Sequence, residues 1–391
     1  MANKHHVGSV AVVLLATGGV VHAQGSVTLY GIVDEGITYS SNQHGKANVQ
    51  LQSGKLGGSR WGFRGSEDLG NGIKAIFNLE NGFNATNGTF TAAGREFGRA
   101  AYVGLSKQGL GALTLGRQTD VFADLVAQYF GSGFWTPSTH IGDSDDMNQY
   151  FRINNSVKFL SDSFYGVRVA GIYGFSNAAG NFANNRAWSL AANYSNGPFS
   201  IGGGFMELNQ PNSTTNTSGA LGGASTSNGD DYSTALFYGL DGGVRRQRVT
   251  AAGAGYTYGA AQMGFGFSHV QLDYVDGASR KLNNFDVNLR YRISAPLSVI
   301  AVYTYTDGSA DNIPKAAGHL SPRWHQATLG IDYLLSKRTE LYASAEYQRA
   351  LGDASIKSGN SLAAIAYIPS AGAASSTGSQ VAVSVGVRHK F

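Results

Sequence analysis

Two sets of charged side chains in this sequence have the types and spacing to act on ions. The basic set lies at alternate positions of segments with a strand-like pattern and comprises Arg60, Arg64, Lys74 and Arg99. The acidic set falls in one long segment, 119–153, and comprises Asp120, Asp124, Asp143, Asp145 and Asp146. Opposite charges on two sides of a narrow aqueous passage create a local field that filters ions by charge. The competing interpretation is that the aspartates are solvated loop residues and that the arginines pair with carboxylates or face solvent.

Signatures of catalysis and of cofactor binding are weak or missing. The chain has no Cys, which excludes a thiol nucleophile and a Cys-based metal site. Its glycines form no G-x-G-x-x-G between a strand and a helix, and no G-x-S-x-G elbow occurs. Asp143-Ser144-Asp145 looks like the start of a calcium loop, but Asn148 stands where that loop needs glycine. We therefore expect no enzyme, no cofactor and no metal, while a calcium site built from scattered loop aspartates stays open.

The composition narrows the class of protein. The 391 residues include 54 glycines, 11% aromatic residues and only 14% charged residues, with a formal net charge of +4. Abundant apolar and aromatic residues argue against disorder. The small positive charge is too weak for a dedicated nucleic-acid binder, so we expect no nucleic-acid partner.

The first residues are typical of an export signal. Lys4, His5 and His6 precede an apolar run over 7–21, and Val21-His22-Ala23 places small residues at the −3 and −1 positions of a cleavage site. The run is shorter than the ~20 residues of a spanning helix. The pattern predicts a secretory signal peptide over 1–23, followed by one β-barrel domain over 24–391.

The rest of the chain alternates apolar and polar residues with a period of two. In 285–294, for example, Phe285, Val287 and Leu289 alternate with polar neighbours. Sixteen such segments, from 26–39 to 380–391, predict sixteen strands with one apolar and one polar face. The alternation places the basic set on the polar face, opposite neighbours such as Trp61 and Phe63.

The connections between these segments are alternately long and short. The long ones are 40–58, 119–153, 209–245, 307–322 and 350–379. Short turns at one end and long loops at the other are typical of outer-membrane barrels. In lipid every backbone polar group must be paired, so the sheet must close, and sixteen strands leave an aqueous bore. The sequence thus predicts an all-β, sixteen-stranded antiparallel transmembrane barrel.

Several motifs resemble those of a known family. Gly25 to Tyr39 (GSVTLYGIVDEGITY) looks like the first strand of Gram-negative general porins of the neisserial and β-proteobacterial type. Other segments resemble later parts of the same porins: 59–83 (SRWGFRGSEDLGNGIKAIFNLENGF), 98–106 (GRAAYVGLS) and 113–118 (LTLGRQ). The C-terminal VGVRHKF resembles their terminal aromatic strand. The resemblance covers essentially the whole chain after the predicted signal peptide.

The resemblance implies a homotrimer in the outer membrane of a Gram-negative bacterium, in contact with lipid and lipopolysaccharide. It implies that 119–153 folds inward as a constriction loop and that Arg117 lies at the root of this loop. By parity with Leu113 and Leu115, Arg117 would point outward, so a pore-lining position needs a bulge or strand end. It also implies that the barrel-assembly machinery reads the terminal Phe391.

These features predict a general diffusion channel for small hydrophilic solutes and ions. The interior arginines and the net positive charge predict a mild anion preference. A substrate-specific channel and a barrel adhesin remain the alternatives. A barrel enzyme is disfavoured, because no Ser or Asp nucleophile stands with a His near one rim.

Overall fold

A computed structural model describes residues 25–92, 94–135, 137–222, 232, 243–312, 318–354 and 363–391. The predicted signal peptide, 1–23, lies outside the described residues. The strands are β1 Ser26–Gln43, β2 Lys46–Ser53, β3 Arg60–Gly70, β4 Ile73–Gly82, β5 Ala100–Lys107, β6 Gly111–Gln118, β7 Ile153–Ser161, β8 Val167–Gly174, β9 Arg186–Asn196, β10 Phe199–Asn209, β11 Val244–Tyr258, β12 Ala261–Tyr274, β13 Ser279–Arg292, β14 Leu297–Asp311, β15 Arg323–Leu334, β16 Thr339–Leu351 and β17 Ser379–Lys390. Within the described ranges, no helix is both long and apolar enough to cross a bilayer.

The strands form one closed antiparallel sheet. Each strand from β3 to β17 pairs with its sequence neighbours, and β17 returns to β1, where Gly36 lies opposite Gly386. On its other edge, β1 pairs first with β3 and then with β2. Strands β2 and β3 therefore lie end to end and share one position in the wall. The barrel has sixteen positions, which confirms the predicted fold class.

The first long connection differs from its prediction. We expected a loop over 40–58, but β1 continues to Gln43 and forms a hairpin with β2 through a turn at His44 and Gly45. The segment 46–53 has its own alternation, with Ala47, Val49 and Leu51 between polar residues, as a strand requires. Between β2 and β3 the wall is interrupted at 54–59.

The two faces of the sheet are inverted relative to a water-soluble protein. Outward side chains are apolar and exposed, as at Val103, Val287 and Leu329. Inward side chains include fully buried polar groups such as Asn284 and Gln348. This arrangement suits a wall with lipid outside and water or polar loops inside.

The segment 119–152 between β6 and β7, here called the constriction loop, folds into the barrel. It contains the short helices α1 (Phe122–Leu125) and α2 (Gly131–Phe134), and 3-10 turns at Ala127–Tyr129 and Ile141–Asp143. Its backbone is held by the opposite wall: Gly131 donates its N–H to Asp286 at 3.0 Å, and Asn288 donates to the carbonyl of Tyr129 at 2.8 Å. This inward fold follows the prediction.

Glycines of the wall make room for the aromatic side chains of the constriction loop. A Cβ placed on Gly266 would lie 2.6 Å from the Phe130 ring, and one on Gly330 would lie 2.5 Å from the Trp135 ring. Real Cβ atoms do not approach other heavy atoms this closely, so a larger residue at either position would force the ring of the loop to move. Part of the high glycine content therefore serves to seat the loop.

Candidate pore constriction

A cavity of about 350 Å³ lies between the constriction loop and the wall formed by β3 to β7. Its lining carries four cationic side chains and two carboxylates: Arg60, Arg99, Arg152, Lys158, Glu80 and Asp124. The formal net charge of the lining is therefore +2. A narrow site screens charge less than bulk water does, so this net charge acts on any ion that passes.

Glu80 on β4 orients the arginines of the wall. Its carboxylate lies 2.7 Å from Nε of Arg99 and 3.7 Å from Nε of Arg60, and it accepts the Tyr30 hydroxyl at 2.8 Å. Charge-assisted hydrogen bonds of this kind fix the direction of a guanidinium group. Arg60 also donates Nη1 to the carbonyl of Gly58 at 3.1 Å.

The second group of charges joins the constriction loop to β7. Lys158 forms an ion pair with Asp124 and donates to the carbonyl of Thr119 at 3.2 Å. Arg152, at the end of the loop, donates to the carbonyls of Gln149 and Phe151. The loop side of the cavity thus carries positive charge as well as the wall side.

The other predicted basic residues lie away from this cavity. Arg64 shares the inward face of β3 with Arg60, and its guanidinium lies 5.3 Å from the centre of the Tyr30 ring. Lys74 lines a second cavity of about 460 Å³ at the short-turn end of the barrel, together with Lys107 and Arg168. Both face the interior, but at a different level from the constriction.

Arg117 lies at the root of the constriction loop. It is absent from the described lining of the constriction cavity, because it keeps the outward parity of Leu113 and Leu115. The register of β6 and β7 does shift beyond Gly116, but the side chain is buried at the root of the loop. There Nε donates to the carbonyl of Gly98 at 2.6 Å, and Nη1 donates to Asn154. These contacts tie the start of the constriction loop to the wall, and a pore-lining role for Arg117 stays a prediction.

The five aspartates of the acidic set lie in different environments. Asp124 alone of the five lies in the described lining of the cavity. The other four, Asp120, Asp143, Asp145 and Asp146, are at most 6% exposed and lie within the loop or between the loop and the wall. The expected picture of an acidic loop facing a basic wall is thus reduced to one aspartate.

These buried aspartates stabilise the fold of the loop. Asp120 accepts the N–H groups of Phe122 and Ala123, and Asp143 accepts that of Asn148 at 3.0 Å. Such bonds satisfy backbone donors that the irregular loop leaves unpaired. Burial raises the pKa of Asp120 to about 7.

Asp145 connects the loop to the wall. It lies 2.7 Å from Nδ1 of His140 and accepts the hydroxyl of Ser268 on β12. Burial alone would raise the pKa of Asp145, but His140 lowers it overall. Among the described residues, no three His, Asp or Glu side chains gather as a metal-ligand set.

Comparison with known proteins places this architecture in a family. A family model described as Gram-negative porin matches residues 9–353. The chain belongs to this Gram-negative porin family. It is 31% identical over 427 residues to an outer membrane porin protein of Bordetella pertussis, covering 97% of this chain and 98% of the relative. It is 27% identical to outer membrane porin protein 32 of Delftia acidovorans, covering 98% and 99%.

Solved porins share the fold of this porin. The anion-selective porin from Comamonas acidovorans superposes with a TM-score of 0.69 at 24% identity, covering 94% of this chain and all of that one. The trimer form of OmpT, an outer membrane protein of Vibrio cholerae, gives 0.65 at 16% identity, covering 94% and 99%. This porin is a channel protein of the Gram-negative outer membrane.

Sequence reasoning missed three charged residues of the constriction. Glu80 shares the parity of Lys74 on β4, and Lys158 lies between the apolar residues Val157 and Phe159, so alternation places both on the inward face. Arg152 belongs to the irregular loop, where alternation carries no information. Its position follows only from the folded loop.

The terminal Phe391 closes the seam of this porin. Its N–H and carbonyl both pair with Gly31 of β1, at 3.0 and 3.1 Å. A Cβ on Gly31 would lie 2.3 Å from the Phe391 ring, so the ring lies directly over this glycine. The aromatic terminus therefore stabilises the contact between the first and last strands.

Proposed function

We propose that this porin is a general diffusion channel for small hydrophilic solutes and ions, with a mild preference for anions. The observation that carries the proposal is the constriction, where four cationic side chains stand against two carboxylates. An anion entering this narrow site gains favourable electrostatic energy and a cation loses it. The proposal is one of passive diffusion and assigns the chain no enzymatic activity.

Reversal potentials across a planar bilayer with a salt gradient test the preference. We expect purified porin to give stable conductance and a reversal potential of the sign that anion permeation produces. A clear cation preference would contradict the proposal. Saturable conductance with block by one solute would favour a substrate-specific channel, and a folded protein without conductance would favour an adhesin.

We propose that the functional unit is a homotrimer. The trimer form of the OmpT neighbour supports this assembly, as does the continuous apolar outer wall, which can contact either lipid or another subunit. Insertion of one trimer into a planar bilayer should then give three equal conductance steps. Single steps only, from material that runs as a monomer in native electrophoresis, would contradict it.

The export and assembly of the chain are further parts of the proposal. Residues 1–23 have the pattern of a signal peptide, so the mature chain should begin at Gln24, which N-terminal sequencing checks. Phe391 is proposed as the residue that the barrel-assembly machinery reads. The apolar outer wall is proposed to contact outer-membrane lipid and lipopolysaccharide. Deletion of Phe391 should lower the yield of folded porin in the outer membrane.

A further inference from the structure

A second segment enters the barrel besides the constriction loop. The wall breaks between β2 and β3, and residues 54–58, here called the inner segment, bend inward at this break. Lys55 and Leu56 are each only 6% exposed. Leu56 packs in a buried cluster with Trp135 of the constriction loop, Ile300 and Tyr342. The inner segment therefore meets the constriction loop inside the barrel.

One buried carboxylate of β1 holds the inner segment. Asp34, fully buried on the inward face, accepts the N–H groups of Leu56 at 2.7 Å and of Gly57 at 2.9 Å on Oδ2. Its Oδ1 accepts the hydroxyl of Tyr342 at 2.7 Å. Its carbonyl accepts the N–H of Gly54 at 2.8 Å. Asp34 thus binds both ends of the inner segment, and Arg388 of β17 also donates Nη1 to the carbonyl of Leu56 at 3.0 Å.

The inner segment in turn contacts the charged side chains of the constriction. The carbonyl of Gly58 accepts Nη1 of Arg60 at 3.1 Å. A Cβ placed on Gly58 would lie 3.3 Å from Nη1 of Arg99, so this glycine also stands beside the second guanidinium. The segment therefore binds Arg60 through Nη1, whereas Glu80 lies near its Nε, and it limits the space of Arg99.

We propose that Asp34 is a positioning residue for the pore constriction: by holding the inner segment it keeps Arg60 and Arg99 directed into the passage and sets the anion preference. The proposal rests on the proposed function as an anion-preferring channel. Asp34 itself is outside the described lining of the constriction cavity, so it acts through the arginines. Buried carboxylates with several backbone donors are well suited to such a role, because each donor loses its partner if the group is removed.

Positioning and simple electrostatics predict opposite results for a neutral residue at 34. If Asp34 acts only as a negative charge, its neutralisation leaves the pore more positive and raises the anion preference. If it acts by positioning, Asp34→Asn cannot satisfy all three donors, the inner segment loosens, and the arginines lose their direction. The anion preference then falls.

The test compares reversal potentials of wild type, Asp34→Asn, Leu56→Ala and Glu35→Gln in planar bilayers. Leu56→Ala loosens the inner segment without changing charge. Glu35→Gln removes the same charge one residue away, on the opposite face of β1. We expect the anion-over-cation permeability ratio to fall about twofold in Asp34→Asn and in Leu56→Ala, and to stay unchanged in Glu35→Gln.

An unchanged or increased ratio in folded Asp34→Asn would overturn the proposal. If Asp34→Asn does not fold, the permeability ratio of Leu56→Ala decides instead: an unchanged or increased ratio in this variant would overturn the proposal. Absence of conductance or of anion preference in the wild type would instead reject the proposed function. The two failures are therefore distinguishable.

Discussion

Tyr129 of the constriction loop lies directly against Gly253 of β11, and a Cβ on Gly253 would stand 2.5 Å from the Tyr129 Cβ. The next inward residue, Gly255, leaves more room toward Tyr129: its Cβ would lie 3.4 Å from the same ring and 3.0 Å from the hydroxyl of Ser200, which can rotate away. The Tyr129 side chain thus rests on three glycines that leave different amounts of room, since a Cβ on Gly202 would lie 2.9 Å from its ring. The path of the loop is set by the absence of side chains on the wall.

Gly253→Ala should displace the constriction loop. The added methyl group overlaps Tyr129 and a backbone carbonyl of β12, and overpacking of this kind costs about 1–3 kcal/mol. We expect Tyr129 to move toward the pore, so that single-channel conductance falls. Gly255→Ala is the matched control and should keep the wild-type conductance. Equal conductance in all three proteins would show that the loop does not rest on Gly253.

Glu80→Gln should increase the anion preference. Glu80 lines the constriction and offsets the charges of Arg60 and Arg99 directly, so its neutralisation adds one positive charge to the passage. This differs from Asp34, which is outside the described lining. Reversal potentials measure the change, with the exposed Glu67→Gln on the outward face of β3 as the control. A lower anion preference in Glu80→Gln would mean that its role in orienting the arginines outweighs its charge.

The alternation of the sequence predicted the faces of the strands because lipid and water impose opposite requirements on successive residues. Arg60 and Arg99 line the interior cavity, and Glu80 and Lys158 follow the same rule, while their part in ion selection stays a prediction. For Arg117 the parity and the family motif point in different directions, and its side chain is buried at the root of the loop. For a regular strand, parity is the stronger guide.

The interior loops could not be predicted in this way. Asp143 and Asp146 bond to backbone N–H groups of Asn148 and Phe151, which are brought close only by the fold of the loop. Their burial depends on partners five residues away in an irregular chain. The inner segment likewise depends on Asp34, more than twenty residues earlier. No local pattern in the sequence marks these contacts.

Arg99→Gln should reduce the anion preference more than Arg64→Gln. Both side chains face the interior, but Arg99 lines the constriction, whereas Arg64 lies beside Tyr30 outside the described lining. Outside the constriction cavity, dissolved ions weaken the field of a fixed charge over a distance of about 8 Å at physiological ionic strength. The two variants carry the same charge change and control for each other. Equal reversal potentials would place the selectivity filter elsewhere in the bore.

The packing of the constriction loop should weaken as the pH rises from 5 to 8. Burial, and then the neighbouring charge of Asp145, raise the pKa of Asp143 from 3.8 to about 7. Between these values the folded loop retains a proton that the open loop releases, so stability falls with rising pH. Burial alone would lower the pKa of His140, but Asp145 raises it overall. Its contribution is also lost as the pH rises, so both groups act in the same direction.

Hydrogen exchange of 119–152, corrected for intrinsic rates, measures this effect. We expect stronger protection at pH 5 than at pH 8 in the wild type. Asp143→Asn should reduce the difference, because its amide stays neutral while its oxygen can still accept the N–H of Asn148. Asp276→Asn, an exposed carboxylate with a similar backbone bond to Ala278, should leave the difference unchanged. Equal protection at both pH values in the wild type would mean that the buried carboxyl groups do not control the packing of the loop.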